Sequence, residues 1–210
     1  MISAIEALER LRAGNRRCVS DDLQYCSTPT SHARRSELAA GQEPFAIILG
    51  CSDSRVPAEI IFDQGLGDLF VIRVAGNIVG PSQVGSVEFA AEHFSTPLVV
   101  VLGHSTCGAV SATIKELQLS TECRSPGLCS IVDRIRPSVE ALLESKHQLN
   151  PDALLQQAVR SNIHASVDHL RQGSQILKEL IKNNQLIVAG AEYSVETGAV
   201  DFLDALPKDS

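Results

Sequence analysis

Cys51, His104 and Cys107 are the residues of this 210-residue chain whose types and places most readily do chemistry together. Two thiols and an imidazole make a donor set for a borderline-soft divalent cation. Three protein donors leave a tetrahedral zinc ion one position for water, the arrangement of catalytic rather than structural sites. Asp53 and Arg55 follow closely on Cys51, on the same turn. A carboxylate beside a bound cation tends to become a ligand itself, whereas one engaged by a bidentate guanidinium is held back as a hydrogen-bond acceptor. Arg55 is therefore expected to keep the metal open.

Something must carry these residues to one place. Pro44-Phe-Ala-Ile-Ile-Leu-Gly50 runs directly into Cys51, and Pro97-Leu-Val-Val-Val-Leu-Gly103 directly into His104. Short apolar runs closed by Gly fit parallel strands covered on both faces, and open parallel sheets build their sites just beyond the strand carboxyl ends. If these two strands (45–50 and 98–103) are neighbours, Cys51, His104 and Cys107 converge. Residues 70–75 and 186–190 read as two further strands, and Tyr193 to Val200 turns at Thr197-Gly198 into a short antiparallel edge strand. Helical patterns alternate with the strands. They cover 2–17, with Ile5, Leu8 and Leu11 as a stripe and Gly14 as the stop, then 34–40, Ser82 as a cap to about Phe94, 108 to about 117, 131–148 and 152–182. Residues 120–130 read as a loop. The expected fold is α/β, with a mostly parallel central sheet of four strands plus an antiparallel edge strand, flanked by helices. One domain is expected over 1–210, with 1–41 as an N-terminal helical arm and 42–210 as the α/β core. A helix opening at Gly108 aims its N-terminal dipole at His104 and Cys107, where it favours a thiolate.

Composition narrows the function classes. The formal charge of −7 has no dense basic run to offset it, since Arg10, Arg12, Arg16 and Arg17 are interleaved with Glu9, Leu11 and Ala13. They read as a solvated helix face, and a nucleic-acid partner is not expected. No apolar stretch reaches the roughly 18 residues of a membrane span, and Glu6 and Glu9 stand where a signal peptide would be apolar, so a cytoplasmic protein without a membrane partner is expected. Six cysteines are too few for a disulfide scaffold at this length. Cys18, Cys26, Cys123 and Cys129 read as buried or loop thiols. His32, His93, His147, His164 and His169 read as ordinary core or surface residues, and Asp63 and Asp68 as turn formers around Gly65-Leu66-Gly67. Arg73 reads equally as a strand-end ion pair or as a residue serving the site.

CSDSRVPAEIIFDQGLGDLFVIRVAGN (51–77) and GHSTCGAV (103–110) resemble the two signature segments of the β-class carbonic anhydrases, at that family's separation, and LIVAGAEYSVETGAVD (186–201) resembles its last strand and return. The resemblance implies one zinc ion per chain on Cys51, His104 and Cys107, reversible hydration of carbon dioxide to bicarbonate and a proton, and a homodimer or larger homo-oligomer. On this reading Asp53 accepts the proton of the zinc-bound hydroxide and aims it at the carbon, with Arg55 as its gate. Gln42 matches a glutamine that reaches substrate across the dimer interface, Gly108 lets substrate approach the metal, and the N-terminal helices pack across a partner subunit. Some members close at lower pH when bicarbonate occupies a pocket built on a Trp and a Tyr. Alignment puts Ile48 and Phe89 at those places, and neither side chain can donate to an anion, so an open site near neutral pH is expected.

Three other functions fit parts of the pattern. A carbonyl sulfide or carbon disulfide hydrolase would use the same fold and ligands with a different substrate tunnel. A non-enzymatic zinc-holding scaffold would need a fourth protein ligand. A phosphate or nucleotide binder would need a Gly-rich loop with Lys after the first strand, where this chain carries acidic and arginine residues instead.

Overall fold

Apolar runs without polar alternation satisfy their backbone inside a sheet that is covered on both faces. The computed structural model, which describes residues 2–24, 32–119, 125–144 and 149–203, places five strands in one sheet. They are β1 (Ala46–Gly50), β2 (Leu69–Arg73), β3 (Leu98–His104), β4 (Ile187–Tyr193) and β5 (Val200–Phe202). Their order is β2-β1-β3-β4-β5, with β1 to β4 parallel and β5 antiparallel to β4. Gly50 of β1 pairs with Leu102 of β3, so the chain leaves both strands at the same sheet edge. The expected architecture is the observed one.

Eight helices accompany the sheet among the described residues: α1 (Ala4–Val19), α2 (His32–Leu38), α3 (Ala58–Ile61), α4 (Pro81–His93), α5 (Gly108–Leu119), α6 (Pro126–Leu143), α7 (Pro151–Gly173) and α8 (Gln175–Lys182). Side chains alternate across the strands, as the two-residue period requires. Ile47, Leu49, Val99 and Val101 face a core shared with α4, α5, α6, α7 and α8. Ala46, Ile48, Leu98, Val100 and Leu102 face a second core shared with α1 and α3.

Several elements depart from the sequence reading. Gly14 does not stop α1; the helix runs on to Val19. A Cβ at Gly14 would lie 1.7 Å from the Phe62 carbonyl oxygen, so glycine stands there to let α1 lie against the α3 segment. Leu8 and Leu11 of the α1 stripe are buried in the chain's own second core, while Ile5 is half-buried. Nor are its arginines merely solvated. Arg17 Nε donates to Asp63 at 2.6 Å, and Arg10 pairs with Asp68 at 3.0 Å while lying 4.0 Å over the Phe45 ring. Asp63 is fully buried and also accepts from the Gln24 amide, an anchor for α1 where a turn former was expected.

Helix starts were the least legible feature. Gly80 precedes α4, with Pro81 at its first position, and Ser82 lies inside the helix. Ser125 caps α6 by accepting from the Leu128 amide, so 126–130 is helical where a loop was expected, while 120–124 lie outside the described residues. Cys26, Cys123 and His147 lie outside them too. The pattern read as one helix over 152–182 is broken at Ser174, which accepts from the Leu177 amide and donates to Glu88 of α4 at 2.6 Å.

Gly14→Ala separates two opposed effects. Helix propensity alone would raise stability by about 1 kcal/mol, whereas forcing a methyl into a filled contact typically costs about 1–3 kcal/mol. The clash is with rigid backbone, so the variant should melt at a lower temperature than the parent by circular dichroism. A higher melting temperature would show that α1 does not lie this close to Phe62.

Candidate active site

Three chain segments meet beyond the ends of β1 and β3. Cys51 leaves β1, His104 ends β3 and Cys107 immediately precedes α5. Their ligating atoms lie within 4.8 Å of one another, and all three residues are buried. His104 Nδ1 is 2.9 Å from the Ser105 carbonyl oxygen, which can only accept, so Nδ1 carries the hydrogen. A neutral ring then presents a bare Nε2. That atom is buried without a hydrogen-bond partner among the described residues, and leaving such an atom unsatisfied costs about 1–3 kcal/mol.

The sulfurs are poised unequally. Hydrogen bonding with the Cys107 thiol, then with His104 and the Asp53 and Gly76 amides, the last at 3.3 Å, outweighs burial and pushes the Cys51 thiol down to about 4. Cys107 is pushed up, because its proton serves that bond and because burial disfavours a second thiolate beside the first. The α5 amides of Val110 and Ala109 act in the opposite sense on Cys107, in line with the expected helix N-terminus effect. Two sulfurs sharing one proton beside a bare imidazole nitrogen are a donor set that a cation would complete. Its chemistry fits zinc.

Asp53 stands beside this set without joining it. Arg55 grips both carboxylate oxygens, Nε to Oδ1 at 2.9 Å and Nη2 to Oδ2 at 2.8 Å, and the Arg55 amide donates to Oδ1 at 3.0 Å. The guanidinium holds Asp53 well below the usual carboxylate range. Asp53 Oδ2 lies 3.9 Å from His104 Nε2.

Of two supports for the site, the sequence reading left one open and missed the other. Arg73, at the end of β2, donates from Nε to the Cys51 carbonyl at 3.0 Å and from Nη2 to the Asp53 carbonyl at 2.6 Å. It clamps the turn that holds both residues, and makes no strand-end ion pair among the described residues. The 3₁₀ turn Ala75–Asn77, source of the Gly76 amide, is held by α7: Asn162 donates to the Gly76 carbonyl at 2.8 Å and Ser166 to that of Asn77 at 3.1 Å. Gly76 has φ +71°, and a Cβ there would meet Ile135 at 2.8 Å. Asn162 and Ser166, one turn apart on a helix face otherwise built of Val159, Ile163, Val167 and Leu170, were the available signal.

A family model described as carbonic anhydrase matches residues 46–200. Carbonic anhydrase 2 of Mycobacterium tuberculosis is 39% identical over 202 residues, covering 95% of this chain and 93% of that protein. The chain belongs to the β-class carbonic anhydrase family. A carbonic anhydrase of Mycolicibacterium smegmatis is 36% identical over 198 residues, covering 94% and 92% of the two chains. The crystal structure of the β-carbonic anhydrase CafA of Aspergillus fumigatus superposes with a TM-score of 0.72 at 26% identity, covering 97% of this chain and 92% of that one.

Against the family pattern, the remaining expectations fall out unevenly. Gln42 is exposed before β1, whereas Cys51 follows it, and the intervening strand spans about 16 Å. Gln42 is therefore not part of its own chain's site. Gly108 is exposed, and a Cβ added to it meets nothing within 4 Å, which leaves room beside Cys107. Ile48 and Phe89 do not share a pocket. Ile48 faces the α1 core, while Phe89 on α4 packs with Phe70 and Phe94 on the other side of the sheet. Among the aromatic residues packed in the core of Ile48, beside Phe45, Phe62 and Phe202, Tyr193 carries a hydroxyl.

Arg73→Met keeps the aliphatic stem and removes both clamp bonds. Amide exchange at Ser52 and Arg55 should quicken about tenfold, equivalent to about 1.4 kcal/mol, with little change in melting temperature. Unaltered exchange would mean that the turn is held without Arg73.

Proposed function

We propose that this chain, folded as one domain over residues 1–210, catalyses CO2 + H2O ⇌ HCO3⁻ + H⁺ with zinc held by Cys51, His104 and Cys107. The observation that carries the reading is a buried three-donor set whose neighbouring carboxylate is held off it by a bidentate arginine. Zinc bound there supplies a Lewis acid that brings the ionisation of water toward neutral pH. Asp53, ionised throughout the neutral range, accepts a hydrogen bond from the attacking oxygen and turns its remaining lone pair toward the carbon. Arg55 occupies both Asp53 oxygens and so keeps them from the donor set. The side-chain-free surface of Gly108 admits a linear substrate beside Cys107.

Gln42 supports a homodimer as the active unit. Its place at the far end of β1 means that only a second copy could bring it to a site, and there its carboxamide would donate to substrate oxygen. No helix among the described residues is long and apolar enough to cross a membrane, and we place the enzyme in the cytoplasm.

Replacing Cys51, His104 or Cys107 by Ala should remove zinc and activity together in metal analysis and stopped-flow CO2 hydration. Asp53→Asn and Arg55→Ala should keep zinc and lose about 100-fold or more in kcat/KM. Wild-type hydration should follow one ionisation between pH 6 and 9, because Asp53 stays charged across that window. Full zinc in a ligand variant, or turnover of carbonyl sulfide without CO2 hydration, would defeat the reading.

Complementation tests the second copy. Gln42→Ala and Cys51→Ala chains, each poorly active, should regain part of the wild-type rate when refolded together, since one site of a mixed dimer then has all its residues. No recovery in a demonstrated mixed dimer would place Gln42 outside catalysis.

A further inference from the structure

Ser105 sits between two of the residues read as metal ligands, and three of its atoms are committed to separate tasks. Its carbonyl oxygen accepts from His104 Nδ1 at 2.9 Å. Its amide donates to the Tyr193 carbonyl at 2.9 Å, extending the ladder by which β3 pairs with β4. Its hydroxyl oxygen accepts from the Val195 amide at 3.0 Å, on the turn that leads from β4 to β5.

These bonds form a chain of cause. His104 is fully buried, and its Nε2 presents a lone pair to the sulfurs only while the hydrogen stays on Nδ1 and the ring keeps its orientation. The acceptor that secures both is the Ser105 carbonyl. A backbone carbonyl in a loop points where its peptide plane points. Here the residue from which that plane starts is held at its amide, one peptide earlier, by the Tyr193 bond and at its side chain by the bond to Val195. Thr106 directly follows with φ +57°, a left-handed conformation uncommon for a β-branched residue, so the loop does not relax into this shape unaided. The hydroxyl is the only one of the three contacts that depends on residue type.

We propose that Ser105 is a positioning residue: its hydroxyl, anchored on the Val195 amide, fixes the carbonyl that sets the tautomer and aim of His104. The inference rests on the reading of His104 as a ligand. It assigns the turn after β4, distant in sequence from both signature segments, a part in metal affinity. Outer-shell partners of ligating histidines typically alter metal affinity about 10- to 100-fold when removed.

The test uses the full chain loaded with zinc and titrated against a chelator of known affinity, comparing wild type, Ser105→Ala, Ser105→Thr and His104→Ala. Ser105→Ala should release zinc at about 10- to 100-fold lower chelator concentration, with far-ultraviolet circular dichroism and melting close to wild type. Ser105→Thr, which keeps the hydroxyl, should restore affinity to within a few-fold. Nitrogen-15 spectra of the imidazole, recorded once the chelator has removed the zinc, should show the Nδ1–H tautomer in wild type and Ser105→Thr, and a mixture in Ser105→Ala. Wild-type zinc affinity and an unmixed tautomer in Ser105→Ala, with zinc lost in His104→Ala, would overturn the role of Ser105 and leave the ligand reading standing. Undiminished zinc in His104→Ala would overturn both.

Discussion

Parallel pairing of β1 with β3 sets Gly50 opposite Leu102, and because both strands run the same way, the residues that follow them emerge at one edge. A pairing slipped by a single residue would turn Ile47, Leu49, Val99 and Val101 out of the core they share. Register is therefore enforced by burial along the strands, and the proximity of Cys51 to His104 comes with it. Both faces of these strands are closed by helices, so the site opens at the strand ends, where the backbone is free to turn.

Bringing two sulfurs and an imidazole together in a buried place is unfavourable without compensation, and the surrounding polar groups are arranged around that difficulty. The Gly76 amide and the first amides of α5 reach the sulfurs, and the Ser105 carbonyl occupies Nδ1 of His104. Arg55 takes both oxygens of Asp53, so this carboxylate beside His104 is directed away from the donor set. Arg73 and α7 then hold the backbone from which these groups project. The backbone supports come from elements remote in sequence, which explains why α7 carries Asn162 and Ser166 on an otherwise apolar face.

The two cores place different demands on the chain. On one face, five helices lie over the sheet and their stripes are broad enough to be read as helices. On the other, α1 and the short α3 suffice because α1 comes very close, at the glycine that was expected to end it. Its arginines serve the same closeness, since Arg17 reaches the buried Asp63 and Arg10 spans Asp68 and Phe45. A helix that lies this tightly on its own sheet buries Leu8 and Leu11 within the chain.

What the amino-acid order determined by itself was local and repetitive: apolar runs ending in glycine, the alternation of strands and helices, and a donor set with an Asp-x-Arg beside it. These are properties of short segments, legible because burial imposes a period on them. Tertiary structure alone decided what depends on distance. It gave Gly14 a packing partner, made Asp63 an anchor, split 152–182 at Ser174, separated Ile48 from Phe89 onto opposite faces, and turned Arg73 toward the carbonyls of Cys51 and Asp53. A glycine, an aspartate or an arginine has several uses with nearly the same local signature. Which one applies is settled by the atoms that the rest of the chain brings within a few ångströms.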